Sequence, residues 1–330
     1  KRIGGLDELR GVAIIAVMIH HMWWAIGSYQ LGGPAVDLFF IISGFLIGKI
    51  LLNSQDEKNY YSIFYAKRIS RIFPLAIVML FLGIILAVFL GWNLDSLPYY
   101  FLFIQNYIPS QTVIGTHQDW TGHLPGINTM WSLAVEEHFY FVAPFLILKL
   151  RGVGLPITLF FLSIGSVYLK INYINSHPSY TLFSNPLPTE CRVVYLAAGV
   201  IINLKKWRYL YIFIVSSFWI ACQLLVESDY GKLDVISFVL LWIIVVGTIN
   251  MSVPIRCRFL GWIGIRCYGI YLLHMPITLI LKKLDGKMHP SIMMVILFLT
   301  SFILAEISLR FFEKPANRKL NMFFMKFIKP

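Results

Sequence analysis

The chain has 330 residues, of which 58% are hydrophobic and 13% charged, and its mean hydropathy is +0.72. A soluble domain carries about twice that share of charged residues, so the composition excludes this class. Long apolar runs recur along the chain, and they lack the alternation of an outer-membrane barrel, which predicts a helical membrane bundle. The net charge of +12 falls in clusters between these runs and not on one face, which excludes a nucleic-acid partner.

The apolar runs predict an all-α integral membrane protein with about ten transmembrane helices. We place the spans near residues 6–27, 35–52, 73–92, 131–148, 155–171, 190–204, 209–226, 235–251, 260–281 and 290–312. With the N-terminus in the cytoplasm, most of the 28 Lys and Arg residues fall on the inner side, and Lys170 and Arg192 are among the few on the outer side. This bias predicts one transmembrane domain over residues 1–330, with both termini cytoplasmic.

The segment near 98–114 is apolar but short, and Gln105, Asn106 and Pro109 interrupt it. We interpret it as a re-entrant or interfacial segment on the outer side, because a full span here would reverse the charge bias of everything after it.

The second span contains two glycines, Gly44 and Gly48, that lie four residues apart. This spacing favours close helix packing.

The first span holds two ionisable groups, Arg10 and His21, that lie 11 residues apart. Eleven residues make about three helical turns, so both side chains share one face and are separated by roughly 16 Å along the axis. His20 points to another side of the helix. Ionisable groups at membrane depth usually face a bundle interior or an aqueous cavity, so this stripe indicates a site that works across the bilayer.

Other polar groups are expected at a depth similar to that of His21. Asp37 begins the second span, Glu136 and Glu137 lie one turn into the fourth, and His274 lies toward the outer end of the ninth. A histidine beside carboxylates is typical of general-base catalysis, because a carboxylate orients the ring and stabilises its charged form. The structural alternative is that each group joins helices by hydrogen bonds.

A basic cluster precedes the third span in the string YAKRISRIFP, which contains Lys67, Arg68 and Arg71. Arg68 and Arg71 are three residues apart and share a face of a helix. Paired guanidinium groups suit phosphate oxygens, although an ordinary topology determinant has the same composition. Arg10 lies on the same side of the membrane and favours the binding interpretation.

The string WSLAVEEHFY is the most specific one in the chain. Its adjacent glutamates lie in an aromatic, apolar run, where a solvated position is hard to explain. Tyr140 is four residues after Glu136 and is placed to hydrogen-bond it, and Trp131 and Ser132 are candidates for the wall of a substrate cavity. Alternatively, the pair marks a helix N-terminus, where carboxylates favour the dipole.

The remaining polar residues predict local or solvated roles. Arg310 and Glu313, three residues apart, predict a local ion pair. We expect the outer-loop histidines to be solvated; they are His117, His123, His177 and His289. The four cysteines have no disulfide or metal-ligand spacing, so no metal site is predicted.

Taken together, the strings LDELRGVAIIAVMIHH, VDLFFIISGFLI, KRISRIFP, WSLAVEEHFYFVAP and YGIYLLHMP resemble the membrane-bound acyltransferase-3 family of bacterial O-acyltransferases. The resemblance covers nearly the whole chain and selects Arg10 with His21, then Arg68 with Arg71. It implies an acyl-CoA donor, usually acetyl-CoA, from the cytoplasm and a hydroxyl acceptor on a surface glycan or lipid-linked precursor outside. It also implies the bacterial inner membrane. Some members carry a further SGNH-type domain; this chain is expected to be of the stand-alone type or, alternatively, a piece of a longer protein.

Two hypotheses follow. In the first, Lys67, Arg68, Arg71 and Arg10 hold the donor, and His21 acts as general base or, alternatively, carries the acyl group itself. Glu136, Glu137 or Asp37 supports that histidine, and His274 lines the same cavity. In the second, the chain is a proton-coupled exporter or flippase of an anionic lipid or glycan precursor. The absence of a visible internal repeat weighs against the exporter.

Overall fold

The computed structural model describes residues 5–22, 32–108, 123–176, 187–226, 229–250 and 257–328. Within these ranges the secondary structure is helical and contains no strand. The α-helices are α1 (Leu6–His21), α2 (Gly32–Asn53), α3 (Tyr60–Leu90), α4 (Leu97–Phe101), α5 (Trp131–Lys149), α6 (Gly154–Ser176), α7 (Val193–Ile202), α8 (Arg208–Val226), α9 (Asp229–Asn250), α10 (Arg258–Ile265), α11 (Cys267–Lys282), α12 (Pro290–Ile307) and α13 (Lys314–Ile328). The all-α prediction is therefore confirmed over the described chain.

Each predicted span overlaps a helix or a pair of helices, but several bounds differ. The helix α3 begins at Tyr60, although the third span is predicted to begin at residue 73. The helix α1 ends at His21, and residues 23–27 of the first predicted span lie outside the described ranges. The ninth predicted span is two helices, α10 and α11, which meet at Arg266 with a bend of 75°. The last span continues through a π-helix, Ser308–Glu313, into α13.

Four of the described helices are long and apolar enough to cross a membrane. They are Gly32–Asn53, Tyr60–Leu90, Gly154–Ser176 and the continuous run Pro290–Ile328, and the bent α10–α11 pair would make a fifth. The count of ten spans and the orientation of the termini stay predictions. In the segment near 98–114, the described part holds only α4 and a short 3₁₀ turn, Gln105–Tyr107, neither of which is long enough to span; residues 109–114 lie outside the described ranges.

One face of α3 is apolar and exposed. Its residues Phe81, Ile85 and Phe89 follow one another at helical spacing, and their side chains are 58%, 63% and 83% exposed. A contiguous exposed apolar stripe of this kind is rare on soluble monomers and normal on helices that contact lipid. This surface agrees with the high apolar content of the chain.

The helices α2 and α7 pack closely through glycine, as the sequence predicts. A Cβ added at Gly44 would overlap the carbonyl of Leu196, and one added at Gly199 would overlap the carbonyl of Ile41. Gly48 lies farther along the same contact, against Val200. Small residues let two backbones approach where the hydrophobic effect does not drive helices together, so these glycines fix α2 against α7.

Candidate active site

Two histidines from distant parts of the chain meet inside the bundle. His21 ends α1, and His274 lies near the middle of α11, where its side chain is fully buried. Nε2 of His274 is 3.0 Å from Nδ1 of His21, and the two ring centroids are 5.0 Å apart. The ring of His20 lies edge-on to that of His21, with 5.3 Å between the centroids, and packs against Gly32 at the start of α2. The structure thus brings together the two histidines that the sequence singled out.

The hydrogen bonds of His274 define which nitrogens carry protons. Nδ1 of His274 is 3.1 Å from the carbonyl oxygen of Ile270, and a carbonyl can only accept, so this nitrogen donates. Nε2 of a neutral His274 is then an acceptor, and Nδ1 of His21 donates to it. Neutral His21 therefore carries its lone pair on Nε2, the protonation state that a general base requires.

A cavity of about 270 Å³, which we call the central cavity, collects the predicted arginines. Its polar wall consists of Arg10, Ser43, Arg68, Arg71, Ser132, Glu136, Tyr140, Tyr268 and Tyr271, and the rest of its lining is mainly apolar. Arg68 and Arg71 both face it from α3, which confirms that they share one side of that helix. Lys67 is exposed and lies outside the wall of this cavity.

Glu136 belongs to the arginine group and not to the histidine pair. It lines the central cavity with Arg10 and Arg71, and its Oε2 accepts a hydrogen bond of 3.1 Å from the hydroxyl of Tyr140. The hydroxyl of Ser43 lies 2.9 Å from that of Tyr140 and extends this hydrogen-bond network. The Tyr140–Glu136 hydrogen bond that the spacing predicts is confirmed. Glu137 is partly buried, and its Oε1 has no hydrogen-bond partner among the residues that the structure describes.

A pair of hydroxyl groups lies between the central cavity and the histidines. The hydroxyls of Ser132 and Tyr271 are 2.7 Å apart, and both lie 3.2 Å from the carbonyl of Thr129. Tyr271 lines the cavity on one side, while its ring centroid is 5.9 Å from that of His274 on the other. The pair connects the two parts of the site.

A second cavity of about 520 Å³, which we call the mouth cavity, adjoins the first. Arg10, Arg71 and Tyr268 line both cavities. The rest of its wall consists of Asp7, Gly264, Ile265, Leu309, Glu313, Lys314, Asn317 and Arg318. Several of these residues are exposed, so the mouth cavity is the approach to the central cavity from the end of α1 that holds Arg10.

The partner of Asp37 is Arg192. Its carboxylate forms a buried ion pair with this guanidinium, and the two side chains are 5% and 1% exposed. The guanidinium carbon lies 5.7 Å from the ring centre of Trp131, so Trp131 covers the ion pair. The expectation that Asp37 faces His21 is therefore corrected: the structure places its carboxylate on Arg192, because a buried cation needs an anion beside it.

A second buried ion pair lies beside the first, between Lys170 of α6 and Asp234 of α9. The hydroxyl of Tyr195 donates to Asp234 over 3.0 Å and accepts from Lys170 over 3.0 Å. The sequence assigns Lys170 and Arg192 to outer-side segments, and the structure shows that both side chains are 1% exposed and paired inside the bundle. The sequence did contain a signal for this burial, because each cation is a lone charge inside an apolar run, and such charges are usually paired within the bundle.

The predicted local ion pair between Arg310 and Glu313 is also wrong. Arg310 pairs with Glu306, one turn earlier, and not with Glu313. Glu313 instead accepts a hydrogen bond of 2.8 Å from Ser308 within the π-helix and reaches the mouth cavity. A π-helix shifts the register of side chains, which the spacing of three residues does not reveal.

His123 is buried and not solvated. It is 3% exposed, and its Nδ1 lies 3.1 Å from the hydroxyl of Tyr100. Burial lowers the pKa of His123 to about 4. His289 accepts a backbone hydrogen bond from Ser291 at the start of α12, while His117 and His177 lie outside the described ranges.

The arginines of the central cavity suit an anionic ligand. Nε of Arg68 is buried and has no hydrogen-bond partner within the described part of the chain, and its guanidinium stacks near Tyr140. Buried guanidinium groups need an anionic partner, and phosphate oxygens provide one. No cluster of three or more His, Cys, Asp or Glu that could hold a metal ion occurs among the residues described.

These features define a helical membrane protein with a cation-lined cavity that leads toward a buried histidine pair. The chain belongs to the acyltransferase-3 family, because residues 3–309 match the family model described as an acyltransferase domain. The family, the acyltransferase motifs and the multi-pass membrane character predicted from the sequence are confirmed.

Curated relatives are similar over nearly all of this chain. It is 28% identical over 360 residues to the peptidoglycan O-acetyltransferase OatA of Listeria monocytogenes, covering 96% of this chain and 56% of that protein. It is 29% identical over 365 residues to the O-acetyltransferase OatA of Staphylococcus aureus, covering 97% of this chain and 58% of that protein. The chain thus spans somewhat more than half the length of these relatives. No solved structure matches it.

Proposed function

We propose that this protein is a membrane O-acyltransferase that moves an acetyl group from cytoplasmic acetyl-CoA to a hydroxyl of a cell-wall glycan or its lipid-linked precursor. The acyltransferase family supports the reaction class, and the names of the relatives support acetyl as the acyl group and peptidoglycan as the acceptor class. The proposal includes ten spans and cytoplasmic termini, both favoured by the distribution of Lys and Arg. It also includes a location in the bacterial inner membrane, which the family suggests.

One observation carries the proposal: two helices connect the mouth cavity to the histidine pair. On α1, Arg10 faces both cavities, and His21 lies roughly 16 Å farther along the axis. On α11, Tyr268 faces both cavities, Tyr271 faces the central one, and His274 touches His21. Phosphate-binding groups and a base are therefore aligned along one path.

In the proposed mechanism, Arg10 and Arg71, which line both cavities, hold the phosphate groups of the donor where the two cavities meet, and Arg68 contacts the donor from the central cavity. Lys67 lines neither cavity, so it contributes only positive charge from the nearby surface. The thioester supplies an activated acyl group, whose transfer forms an ester with the acceptor oxygen and releases a thiol. Nε2 of His21 removes the proton of the acceptor hydroxyl, and His274 keeps the opposite nitrogen protonated.

The remaining predicted residues support this arrangement from a distance. Glu136, held by Tyr140, sets the position of the arginines through its negative charge, and Glu137 lies on the same helix beside Arg68. Ser132, through Tyr271, shapes the passage between the cavity and the histidines. Asp37 and Trp131 act through Arg192, which fixes α2 against the rest of the bundle.

The test uses the whole chain purified in nanodiscs. We expect wild-type protein to bind acetyl-CoA by calorimetry and to transfer acetyl to a soluble peptidoglycan fragment. His21→Ala should keep donor binding and lose transfer by at least about 10²-fold, the usual contribution of a general base. The pair Arg68→Gln/Arg71→Gln should lose donor binding. A folded wild-type protein that binds no acetyl-CoA would overturn the donor assignment and favour the exporter.

A further inference from the structure

The mouth cavity carries an excess of positive charge that the proposed mechanism leaves partly unused. Four cations line it, Arg10, Arg71, Lys314 and Arg318, against two carboxylates, Asp7 and Glu313. Asp7 lies 3.4 Å from Arg10, and Glu313 accepts from Ser308, so neither carboxylate is an obvious partner for Lys314 or Arg318. Both of these cations are exposed. A concave site of this charge attracts an anionic, water-soluble ligand.

The two unused cations belong to α13, which lies along the first turns of α3. Nδ2 of Asn59, directly before α3, donates to the carbonyl of Ile328 at the far end of α13 over 2.8 Å. The near end of α13 meets Arg71 in the wall of the mouth cavity. The helix thus runs antiparallel to the start of α3. Lys314 and Arg318 are one turn apart, so they present their charges together to the cavity.

The two cavities differ in the way that the two ends of coenzyme A differ. The mouth cavity is about 520 Å³ and rich in charged groups, whereas the central cavity is about 270 Å³ and mainly apolar apart from its arginines. The nucleotide end of coenzyme A is bulky and carries a diphosphate and a 3′-phosphate. The pantetheine arm is thin and uncharged, so it suits the narrower space.

We propose that the mouth cavity binds the nucleotide phosphates of the acyl donor, and that Lys314 and Arg318 of α13 are its outer phosphate ligands. This proposal rests on the proposed function, since it assumes a coenzyme A donor. The helix α13 lies beyond residues 3–309, the part of the chain that matches the family model. Neither residue belongs to the sequence motifs that selected Arg10, Arg68 and Arg71.

The experiment measures equilibrium binding of coenzyme A and of pantetheine to the whole chain in phosphatidylcholine nanodiscs. The variant is Lys314→Gln/Arg318→Gln. Its matched control is Lys319→Gln/Lys326→Gln, which removes the same charge from exposed positions of α13 that lie outside the wall of the mouth cavity. We expect the variant to weaken coenzyme A binding by about tenfold or more, with pantetheine unaffected and the control within twofold of wild type.

The outcomes separate this proposal from the proposed function. If Arg68→Gln/Arg71→Gln loses coenzyme A but Lys314→Gln/Arg318→Gln binds it as wild type does, the donor assignment stands and the role of α13 is overturned. If the variant and the control lose coenzyme A binding equally, the effect depends only on the net positive charge of α13, and the assignment of Lys314 and Arg318 is also overturned. If wild type binds no coenzyme A, both proposals fail. In a parallel set of nanodiscs that contain phosphatidylglycerol, a site for lipid headgroups would leave coenzyme A binding by the variant unchanged and lower its retention of phosphatidylglycerol, which overturns the assignment.

Discussion

His274 donates a hydrogen bond to its own helix and accepts one from His21, with Nε2 of His274 3.0 Å from Nδ1 of His21. The carbonyl of Ile270 thereby selects the tautomer of His274, and His274 selects the tautomer of His21. A carboxylate fills this orienting role in many histidine bases, and in the proposed mechanism an imidazole takes its place. In that mechanism His274 is a positioning residue, because it acts through His21.

The substitution His274→Ala should lower kcat by about 10²-fold while leaving KM for the donor near its wild-type value, because it removes the orientation of the base and not the donor site. His274→Gln should recover part of the loss, since its amide oxygen can accept from Nδ1 of His21. Steady-state kinetics at several pH values check both variants. A purely structural role would reduce folded yield for Ala and Gln alike, without a selective effect on kcat.

The substitution Asp37→Ala should destabilise the protein by about 3–5 kcal/mol, because it leaves the buried charge of Arg192 without this carboxylate. Asp37→Leu combined with Arg192→Met should be more stable than Asp37→Ala, since the pair is replaced by apolar groups. Thermal unfolding in detergent gives the order of the variants. Asp56→Asn is the control: Asp56 and its partner Arg151 are 92% and 57% exposed, so a change within about 0.5 kcal/mol is expected. Similar losses for Asp37→Ala and Asp56→Asn would contradict the buried ion pair.

The substitution Gly44→Ala should separate α2 from α7 and cost about 1–3 kcal/mol, because the added methyl group would overlap the carbonyl of Leu196. Gly165→Ala in α6 is the matched control, since a Cβ there meets nothing within 4 Å. Alanine at that helical position should be neutral or stabilising by up to about 1 kcal/mol. The measurement is the unfolding midpoint of both variants. A destabilised Gly165→Ala together with an unaffected Gly44→Ala would refute the close contact of α2 with α7.

The buried His123 should make stability depend on pH. Its folded-state pKa is about 4, below the value of about 6.5 for an exposed histidine. Between these values the unfolded chain binds a proton that the folded chain excludes, so stability falls as the pH drops from 6.5 to 4. The full loss is about 3 kcal/mol. His123→Gln should flatten this part of the profile, as followed by unfolding midpoints; an unchanged slope in that variant would assign the effect to other groups.

The sequence by itself determined the class, most of the helices and many of the residues that line the candidate site. Composition and hydropathy fixed an all-helical membrane protein, because apolar runs of this length need helices to satisfy their backbone in lipid. Helical spacing placed Arg68 beside Arg71 and Tyr140 beside Glu136, since neighbours within one helix depend only on its period. The glycines of α2 revealed a close helix contact, although not that α7 forms its other side.

Only the tertiary structure decided which distant groups meet. His21 pairs with His274, Glu136 joins the arginines, and Asp37 pairs with Arg192, although the expected depth of these groups in the bilayer predicted one cluster. Depth along a helix does not define its rotation or its neighbours, which depend on the packing of the whole bundle. For the same reason, local spacing could not reveal the π-helix that directs Glu313 to the mouth cavity or the position of Lys314 beside Arg71.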